Sequence, residues 1–308
     1  MSADVLLEPQ PTPEGVLQRL DWQVIRRLDG LLQGDYRTLF YGDGIDFADL
    51  REYQLQDDIR HIDWNVTARM NTPYVRQFNE DREITSWFLL DTSPSMAFGP
   101  IERPKESVLV DTTATLARLL TRNGNRVGAI IYNNRIERTI PPRGGRNQVL
   151  RLIRDLQRGG ERPRQATTDL NVLFNAGLNT FKRRSLIFVI SDFISEPGWE
   201  RPLSLLNRRH ELLAIRLWDP REVELPNAGL ISVEDAETGE QLLVDTGDPE
   251  FRRRFYAAAE RRESQLRETL KRAGVDLYSV STEENLVTAI IRMAGLRKRR
   301  RWKGTSNQ

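Results

Sequence analysis

The sequence predicts an α/β protein with a doubly wound, mainly parallel sheet, an N-terminal helix and a small β-rich appendage. Apolar, β-favouring runs alternate with amphipathic helical patterns along most of the chain. Two of these runs, 84–90 and 186–190, carry no charge, as expected for strands buried on both faces. Each run is followed by a carboxylate, Asp91 or Asp192. Polar residues that follow buried parallel strands lie where open α/β sheets bind ligands.

The bulk composition indicates an ordinary globular protein. The chain has 308 residues, of which 39% are hydrophobic and 29% are charged, so it can bury a large core in one or two domains. It has no cysteine, which excludes disulfides, thiol catalysis and zinc–thiolate sites and fits the cytoplasm. No apolar stretch approaches the roughly 20 residues of a membrane helix, and the N-terminus lacks a signal-peptide pattern. We therefore expect a cytoplasmic protein without a membrane segment.

The net charge of +2 is unevenly distributed. Six basic residues between 297 and 303 contribute +6, which leaves about −4 for the rest of the chain, the difference between the two values. The alkaline pI is therefore poor evidence for a nucleic-acid surface. Residues 296–308 are predicted to be a basic flexible tail. The alternative is a tail that contacts nucleic acid, acidic protein or anionic lipid.

The first 82 residues differ from the rest. Residues 1–13 contain three prolines and are expected to be a disordered lead. Residues 14–32 have helical apolar periodicity and stop before Gly34. Residues 35–82 combine dense charge with interleaved aromatics, which favours short strands and turns, including an exposed strand at 74–78.

Residues 83–295 alternate strands with helices and are predicted to form the main domain. The helix 104–122 has a wide apolar stripe, which indicates burial against the sheet. The predicted strands are 84–90, 126–132, 135–140, 185–191, 211–217 and 275–280, with a hairpin at 230–233 and 241–244. The other predicted helices are 147–156, 169–183, 199–207, 249–271 and 283–294.

Hydroxyl and carboxylate oxygens follow three predicted elements: Asp91, Ser93 and Ser95 in one loop, Thr168 in a second and Asp192 in a third. Hard oxygens suit Mg²⁺, Mn²⁺ or Ca²⁺. The three loops together resemble the metal-ion-dependent adhesion site of von Willebrand factor A-type domains. The resemblance implies that all five residues hold a metal, with the two aspartates acting partly through water. The alternative is that the aspartates cap neighbouring helices and the serines satisfy turns.

Asp169, beside Thr168, has two interpretations of its own. It could hydrogen-bond to a metal ligand, or it could cap the helix that follows. We favour the helix cap.

The region before the main domain is similar to the bacterial family of unknown function DUF58. The similarity lies in three segments, 47–53, 57–64 and 68–69, and agrees with the adhesion-site motif downstream. The resemblance covers roughly residues 15–295. It implies a von Willebrand A-like domain, and a partnership with MoxR-type AAA+ ATPases, with which members are often encoded.

Catalysis is not expected. Acidic residues and a histidine between 57 and 63 could do acid–base work, but an ion-pair network with nearby arginines, anchored by Trp64, is favoured. Ser93 lacks a nucleophile elbow, and the only histidines are His61 and His210. No phosphate-binding Gly-x-x-x-x-Gly-Lys loop is present.

The sequence therefore predicts a non-enzymatic, metal-dependent interaction protein. Its expected partners are a MoxR-type ATPase or a client that offers an acidic side chain to the metal. The alternatives are a metal-dependent hydrolase that uses the same carboxylates, and nucleic-acid binding through the tail.

Overall fold

The structure, a computed structural model, covers most of the chain. The residues it describes are 11–31, 49–54, 57, 59, 62–70, 72–77, 84–100, 103–159, 167–235 and 239–305. The expected disordered lead therefore lies largely outside the described residues. Much of the predicted appendage at 35–82 lies outside them as well.

The chain divides into two compact units. One consists of residues 1–33 and 84–293, and the other of residues 34–83 and 294–308. The N-terminal helix belongs to the first unit, whereas the sequence groups it with the residues that follow it.

The strands of the described residues agree closely with the predicted ones. They are β1 Asp49–Glu52, β2 Tyr74–Gln77, β3 Thr85–Asp91, β4 Arg126–Tyr132, β5 Ile136–Arg143, β6 Leu186–Ser191, β7 Glu211–Trp218, β8 Leu230–Glu234, β9 Gln241–Asp245 and β10 Asp276–Ser281. The predicted hairpin is β8–β9, which pair antiparallel.

The helices likewise follow the predicted order, apart from one short helix within residues 34–83 that was not predicted. They are α1 Pro13–Leu20 and α2 Arg26–Leu31, joined by the π-helical turn Asp21–Ile25, then α3 Trp64–Met70, α4 Lys105–Arg122, α5 Arg146–Gln157, α6 Leu170–Thr180, α7 Glu200–Arg209, α8 Pro249–Arg272 and α9 Leu286–Thr305. Two short 3₁₀ turns, Pro94–Ala97 and Pro220–Glu222, follow β3 and β7.

The central sheet has six strands in the order β10-β7-β6-β3-β4-β5. Every neighbouring pair is parallel except β4 and β5, which are antiparallel. The predicted doubly wound, mainly parallel α/β fold is therefore confirmed. The five parallel strands end at one edge, which we call the carboxyl edge, and the loops after β3 and β6 are neighbours there.

Helices cover both faces of this sheet. Side chains of α6, α7 and α8 share one buried cluster with alternate residues of β3, such as Trp87 and Leu89. The intervening residues Phe88 and Leu90 are also fully buried and point to the opposite face, because side chains alternate along a strand. Burial on both faces explains why β3 and β6 read as uncharged apolar runs.

The described part of residues 34–83 contains β1 and β2, which pair antiparallel. It also contains α3, where only strands and turns were predicted. Asp63 begins this helix by accepting a hydrogen bond from the Val66 amide at 3.3 Å. The expectation that Trp64 anchors a network is wrong, because Trp64 is 69% exposed. Asp58, Arg60 and His61 lie outside the described residues.

The C-terminal segment also differs from expectation. The last helix continues through Thr305, into the segment that was predicted to be a flexible tail. Arginine and lysine are good helix formers, and positive charge is favourable near a helix C-terminus. No helix among the described residues is both long and apolar enough to cross a membrane.

Candidate metal centre

The loop after β3 brings Asp91, Ser93 and Ser95 together. Asp91 and Ser93 are fully buried, and Ser95 is nearly so. The Ser93 amide donates to Asp91 Oδ1 at 2.9 Å, and the hydroxyls of Ser93 and Ser95 lie 3.1 Å apart. The 3₁₀ turn that begins at Pro94 curls the chain so that both hydroxyls share one side of the loop. A carboxylate and two hydroxyls therefore meet at the carboxyl edge.

The loop after β6 places Asp192 beside them. Asp192 is 3% exposed, and its Oδ1 accepts a hydrogen bond from the Ile194 amide at 3.0 Å. Ser191, which the sequence did not single out, connects the two loops. Its hydroxyl donates to Asp91 Oδ2 at 2.6 Å and accepts from the Phe193 amide at 2.8 Å. Phe193 has φ of +59°, a left-handed conformation that is costly for an aromatic residue.

Thr168 is held at the same edge by its main chain. It is 1% exposed, and its carbonyl accepts from the Glu196 amide at 2.9 Å and from the Ser195 hydroxyl at 3.1 Å. The second loop is thereby fixed to the third. Asp169 accepts from the Asn171 amide at 2.9 Å and begins α6, so its predicted role as a helix cap is confirmed.

Lys105 is the unexpected member of the site. It is the first residue of α4, and its side chain is fully buried. Its ammonium donates to Asp192 Oδ2 at 2.7 Å and also to Glu222. A cation at a helix N-terminus opposes the helix dipole, so this lysine depends on its two carboxylate partners for stability.

The electrostatics of Asp91 differ from those of Asp192. Burial, together with the charge of Asp192, raises the pKa of Asp91 to about 7, although hydrogen bonds from Ser191 and Ser93 oppose the rise. Among the described residues, no cationic side chain forms an ion pair with Asp91, whereas Asp192 has Lys105. The ionised form of Asp91 therefore lacks a positive charge nearby.

Lys105 and Glu222 also have shifted pKa values. Burial lowers the pKa of Lys105, but the charges of Asp192 and Glu222 outweigh it and hold the pKa above its ordinary value. Burial raises the pKa of Glu222 despite the opposing charge of Lys105. Lys105 therefore pairs with two carboxylates, Asp192 and Glu222, and its single positive charge balances only one of them.

This donor set fits a hard divalent cation. A metal would supply the positive charge that ionised Asp91 lacks, and the Ser93 and Ser95 hydroxyls are neutral oxygen ligands of the kind that Mg²⁺, Mn²⁺ and Ca²⁺ accept. No group of three or more His, Cys, Asp or Glu side chains is arranged to hold a metal within the described ranges. A metal here would therefore rely on hydroxyls and water besides its carboxylates. The role of the five predicted residues as metal ligands stays a prediction.

The alternative explanation, that these residues only satisfy turns, accounts for part of the geometry. Asp91 and Asp192 each accept a hydrogen bond from the amide two residues further along the chain. Those bonds explain the loop conformation. They do not explain why two carboxylates, of which only Asp192 is paired with a lysine, are buried at a single sheet edge, since burying unpaired charge is costly.

His210 is not placed to act on Ser93. It immediately precedes β7, at the edge of the sheet opposite the carboxyl edge, and its ring packs edge-on against Phe181 at 5.7 Å between centroids. Burial lowers the pKa of His210, and the charge of Arg209 contributes. A serine–histidine pair at this site is therefore not formed by His210.

Glu222 and Lys105 were not predicted to be part of the site, although the sequence contained a signal for the loop that carries Glu222. The apolar run of β7 is followed by Asp219, in the same way that β3 and β6 are followed by carboxylates. Glu222 completes a reciprocal cap with Asp219 and reaches Lys105. For Lys105 the signal was weak, because a single lysine at the start of a helix usually points to solvent.

The fold and the three loops define a doubly wound α/β protein with a candidate metal site at the carboxyl edge of its sheet. The chain belongs to the family described as "Protein of unknown function DUF58", whose model matches residues 49–265.

Two relatives of this chain are themselves named as uncharacterized proteins. Uncharacterized protein Rv1480 of Mycobacterium tuberculosis is 35% identical over 289 residues, which cover 94% of this chain and 91% of that protein. Uncharacterized protein MAV169 of Mycobacterium avium is 32% identical over 52% of this chain and 94% of its own length.

Two solved structures have weak overall likeness to this one. One is the conserved hypothetical protein BatB of Bacteroides thetaiotaomicron, with 13% identity and a TM-score of 0.45, covering 70% of this chain and 99% of that one. The other is the vWF domain of the pilus tip protein Mfa5 of Porphyromonas gingivalis, with 12% identity and a TM-score of 0.37, covering 70% and 94%.

Proposed function

We propose that this protein is a non-enzymatic, metal-dependent interaction protein that binds an acidic side chain of its partner through a divalent cation. The observation that carries the proposal is Asp91: a fully buried carboxylate beside two hydroxyls and a second carboxylate, with its pKa raised to about 7. The cation would be Mg²⁺, with Mn²⁺ or Ca²⁺ as alternatives, held by Asp91, Ser93, Ser95, Thr168 and Asp192.

Lys105 makes such a metal more receptive to an external ligand. Because Lys105 already pairs with Asp192, that carboxylate can donate less negative charge to a cation. A divalent ion at this site then keeps part of its positive charge. Mg²⁺ usually retains several waters in protein sites, and an acidic side chain from a partner can replace one of them.

The family supports a particular kind of partner. The resemblance to DUF58 implied a MoxR-type AAA+ ATPase, and membership of that family is now shown by the match over residues 49–265. We extend the proposal to an adaptor that links such an ATPase to the complexes it remodels. We also propose a cytoplasmic location, which the cysteine-free composition supports.

The test has a metal-binding step and a partner-binding step. Mg²⁺, Mn²⁺ and Ca²⁺ are titrated into the purified protein by calorimetry, and a purified MoxR-type ATPase from the same organism is then captured in Mg²⁺ or in EDTA. The variant is Asp91→Ala. Its matched control is Asp248→Ala, because Asp248 is a half-buried aspartate that caps α8 by accepting from the Glu250 amide at 2.8 Å.

We expect the wild-type protein and Asp248→Ala to bind metal and to retain the ATPase only in Mg²⁺, and Asp91→Ala to do neither. Circular dichroism establishes that all three proteins are folded. Retention that ignores both EDTA and Asp91→Ala would overturn the metal bridge. Failure of the wild-type protein to bind any of the three cations would overturn the site itself.

A further inference from the structure

An arginine-lined cleft lies between the edge strand β5 and helix α5, away from the residues of the metal centre. It has a volume of about 480 Å³ and adjoins a second hollow of about 270 Å³. Their walls carry five arginines: Arg135, Arg138, Arg151, Arg154 and Arg158. We call the two hollows together the arginine cleft.

Only part of this positive charge is compensated. Asp155, whose side chain is 5% exposed, pairs with Arg138 at 2.8 Å and more loosely with Arg151 at 3.7 Å. Glu137 is the only other acidic residue among the described residues of the walls. The five arginines thus exceed the two carboxylates by three charges. Among the described residues, Arg154 and Arg158 form no ion pair, and both are exposed.

The Arg138–Asp155 pair fixes the shape of the cleft. Arg138 lies on β5 and Asp155 on α5, so their contact joins the strand to the helix. Arg151 and Arg154 on α5 and Arg158, the helical residue that caps its C-terminus, recur at intervals of three and four and therefore share one face. The opposite face of α5 is buried and includes Val149, Leu152 and Ile153. The guanidinium groups are therefore mounted on a rigid wall.

The chain path places this cleft at the same edge of the sheet as the metal centre. Asp91 is the register partner of Tyr132 on β4, and Tyr132 is the partner of Ile136 on β5. Two strand spacings separate Asp91 from Ile136, roughly 10 Å. Because β5 is antiparallel, it starts at the carboxyl edge, and α5 runs back towards that edge and ends there with Arg154 and Arg158. One partner could reach both places.

We infer that the arginine cleft is a docking surface for an acidic segment of a partner protein. Guanidinium groups bind carboxylates through two parallel hydrogen bonds, and arginine clusters commonly recognise acidic motifs. The walls also include Leu150 and Ile136, which provide apolar contact for a side chain within the segment.

Nucleic acid fits the cleft less well than an acidic peptide. No aromatic side chain is present among the wall residues that the structure describes, and single-stranded nucleic acid is held largely by stacking on aromatics. A short acidic segment needs only the local excess of arginine in the walls.

If the arginines had a purely structural role, their substitution would change stability but not peptide binding. Arg154 lies in the last turn of α5, and a cation there stabilises the helix through its dipole. Reversal of its charge would then lower stability without changing the binding of any peptide. Stability and binding are therefore measured on the same proteins.

The probe is a fluorescein-labelled oligoglutamate peptide that contains one leucine, and the readout is fluorescence anisotropy with the full chain at low salt. The variant is Arg154→Glu/Arg158→Glu. The matched control is Arg254→Glu/Arg262→Glu on α8, which reverses two exposed arginines elsewhere and changes the net charge equally. Thermal melting establishes that both variants are folded.

We expect saturable binding that weakens with salt, a loss of about tenfold in affinity for the cleft variant and little change for the control. The same affinity is expected in Mg²⁺ and in EDTA, because no residue of the metal centre contributes. Failure of this inference is thereby distinguished from failure of the proposed function. Equal loss in both variants, loss in EDTA, or tighter binding of a single-stranded oligonucleotide of equal charge would each overturn the inference.

Discussion

We predict that ionised Asp91 destabilises the metal-free protein, and the substitution Asp91→Asn tests this directly. Asparagine has nearly the same shape and keeps an oxygen that can accept the hydrogen bond from the Ser93 amide. It removes the negative charge that is buried close to Asp192. We therefore expect Asp91→Asn to be more stable than the wild-type protein at alkaline pH in EDTA.

The size of the effect follows from the pKa of Asp91. That pKa is about 7 in the folded protein, against an ordinary value of 3.8. Between these values the folded protein binds more protons than the unfolded chain, so the free energy of unfolding falls as the pH rises. From pH 5 to pH 8 the fall is on the order of 3 kcal/mol, because one pKa unit corresponds to about 1.36 kcal/mol. Asparagine does not titrate, so the free energy of unfolding of the Asp91→Asn variant does not decrease in this way as the pH rises.

Urea unfolding in EDTA at a series of pH values measures the difference in free energy of unfolding between the variant and the wild-type protein. We expect the difference to grow in favour of Asp91→Asn as the pH rises and to level off above pH 7. Saturating Mg²⁺ should stabilise the wild-type protein by about 2.7 kcal/mol at one hundred times its dissociation constant, and the variant far less. A difference that stays constant with pH, or that favours the wild-type protein more at high pH, would refute the reasoning. The second outcome would instead identify Asp91 as an ordinary turn-capping carboxylate.

Two further substitutions probe the same loops. Lys105→Met keeps the aliphatic volume but leaves Asp192 and Glu222 without their cation. We therefore expect urea unfolding in EDTA to show that the free energy of unfolding falls by roughly 3 kcal/mol or more. An unchanged free energy of unfolding would argue against the ion pair. Phe193→Gly and Phe193→Ala both lose the buried ring, but only glycine adopts φ of +59° without strain. We expect the glycine variant to melt as the more stable of the two by roughly 1 kcal/mol, and equal stability would show that the left-handed conformation is not strained.

The sheet could be predicted from sequence because its signals are local. Strands β3 and β6 are buried on both faces and therefore consist of uncharged apolar runs. The apolar run of each strand ends at a polar residue, Asp91 in β3 and Ser191 in β6. Parallel strands bring those ends to one edge, so the sequence could place Asp91 next to Asp192 without any distance information.

The partners of these carboxylates could not be predicted in the same way. Lys105 lies 87 residues from Asp192 and 117 from Glu222 along the chain. Nothing in the local pattern at the start of α4 distinguishes a buried lysine from an exposed one. Its burial depends on how α4 packs on the sheet, which is a tertiary effect. For the same reason, hydrophobic periodicity did not reveal α3, which begins at an exposed tryptophan.

We propose that the two carboxylates serve recognition rather than hydrolysis, and their contacts support this. Asp91 accepts hydrogen bonds on both oxygens, from the Ser93 amide and the Ser191 hydroxyl. Asp192 likewise accepts on both, from the Ile194 amide and the Lys105 ammonium. Uptake of a proton would neutralise the charge on which these bonds and the Lys105 ion pair depend, whereas a cation can share the oxygens through their remaining lone pairs. The proposed metal-bridged role therefore preserves the contacts that hold the two loops together.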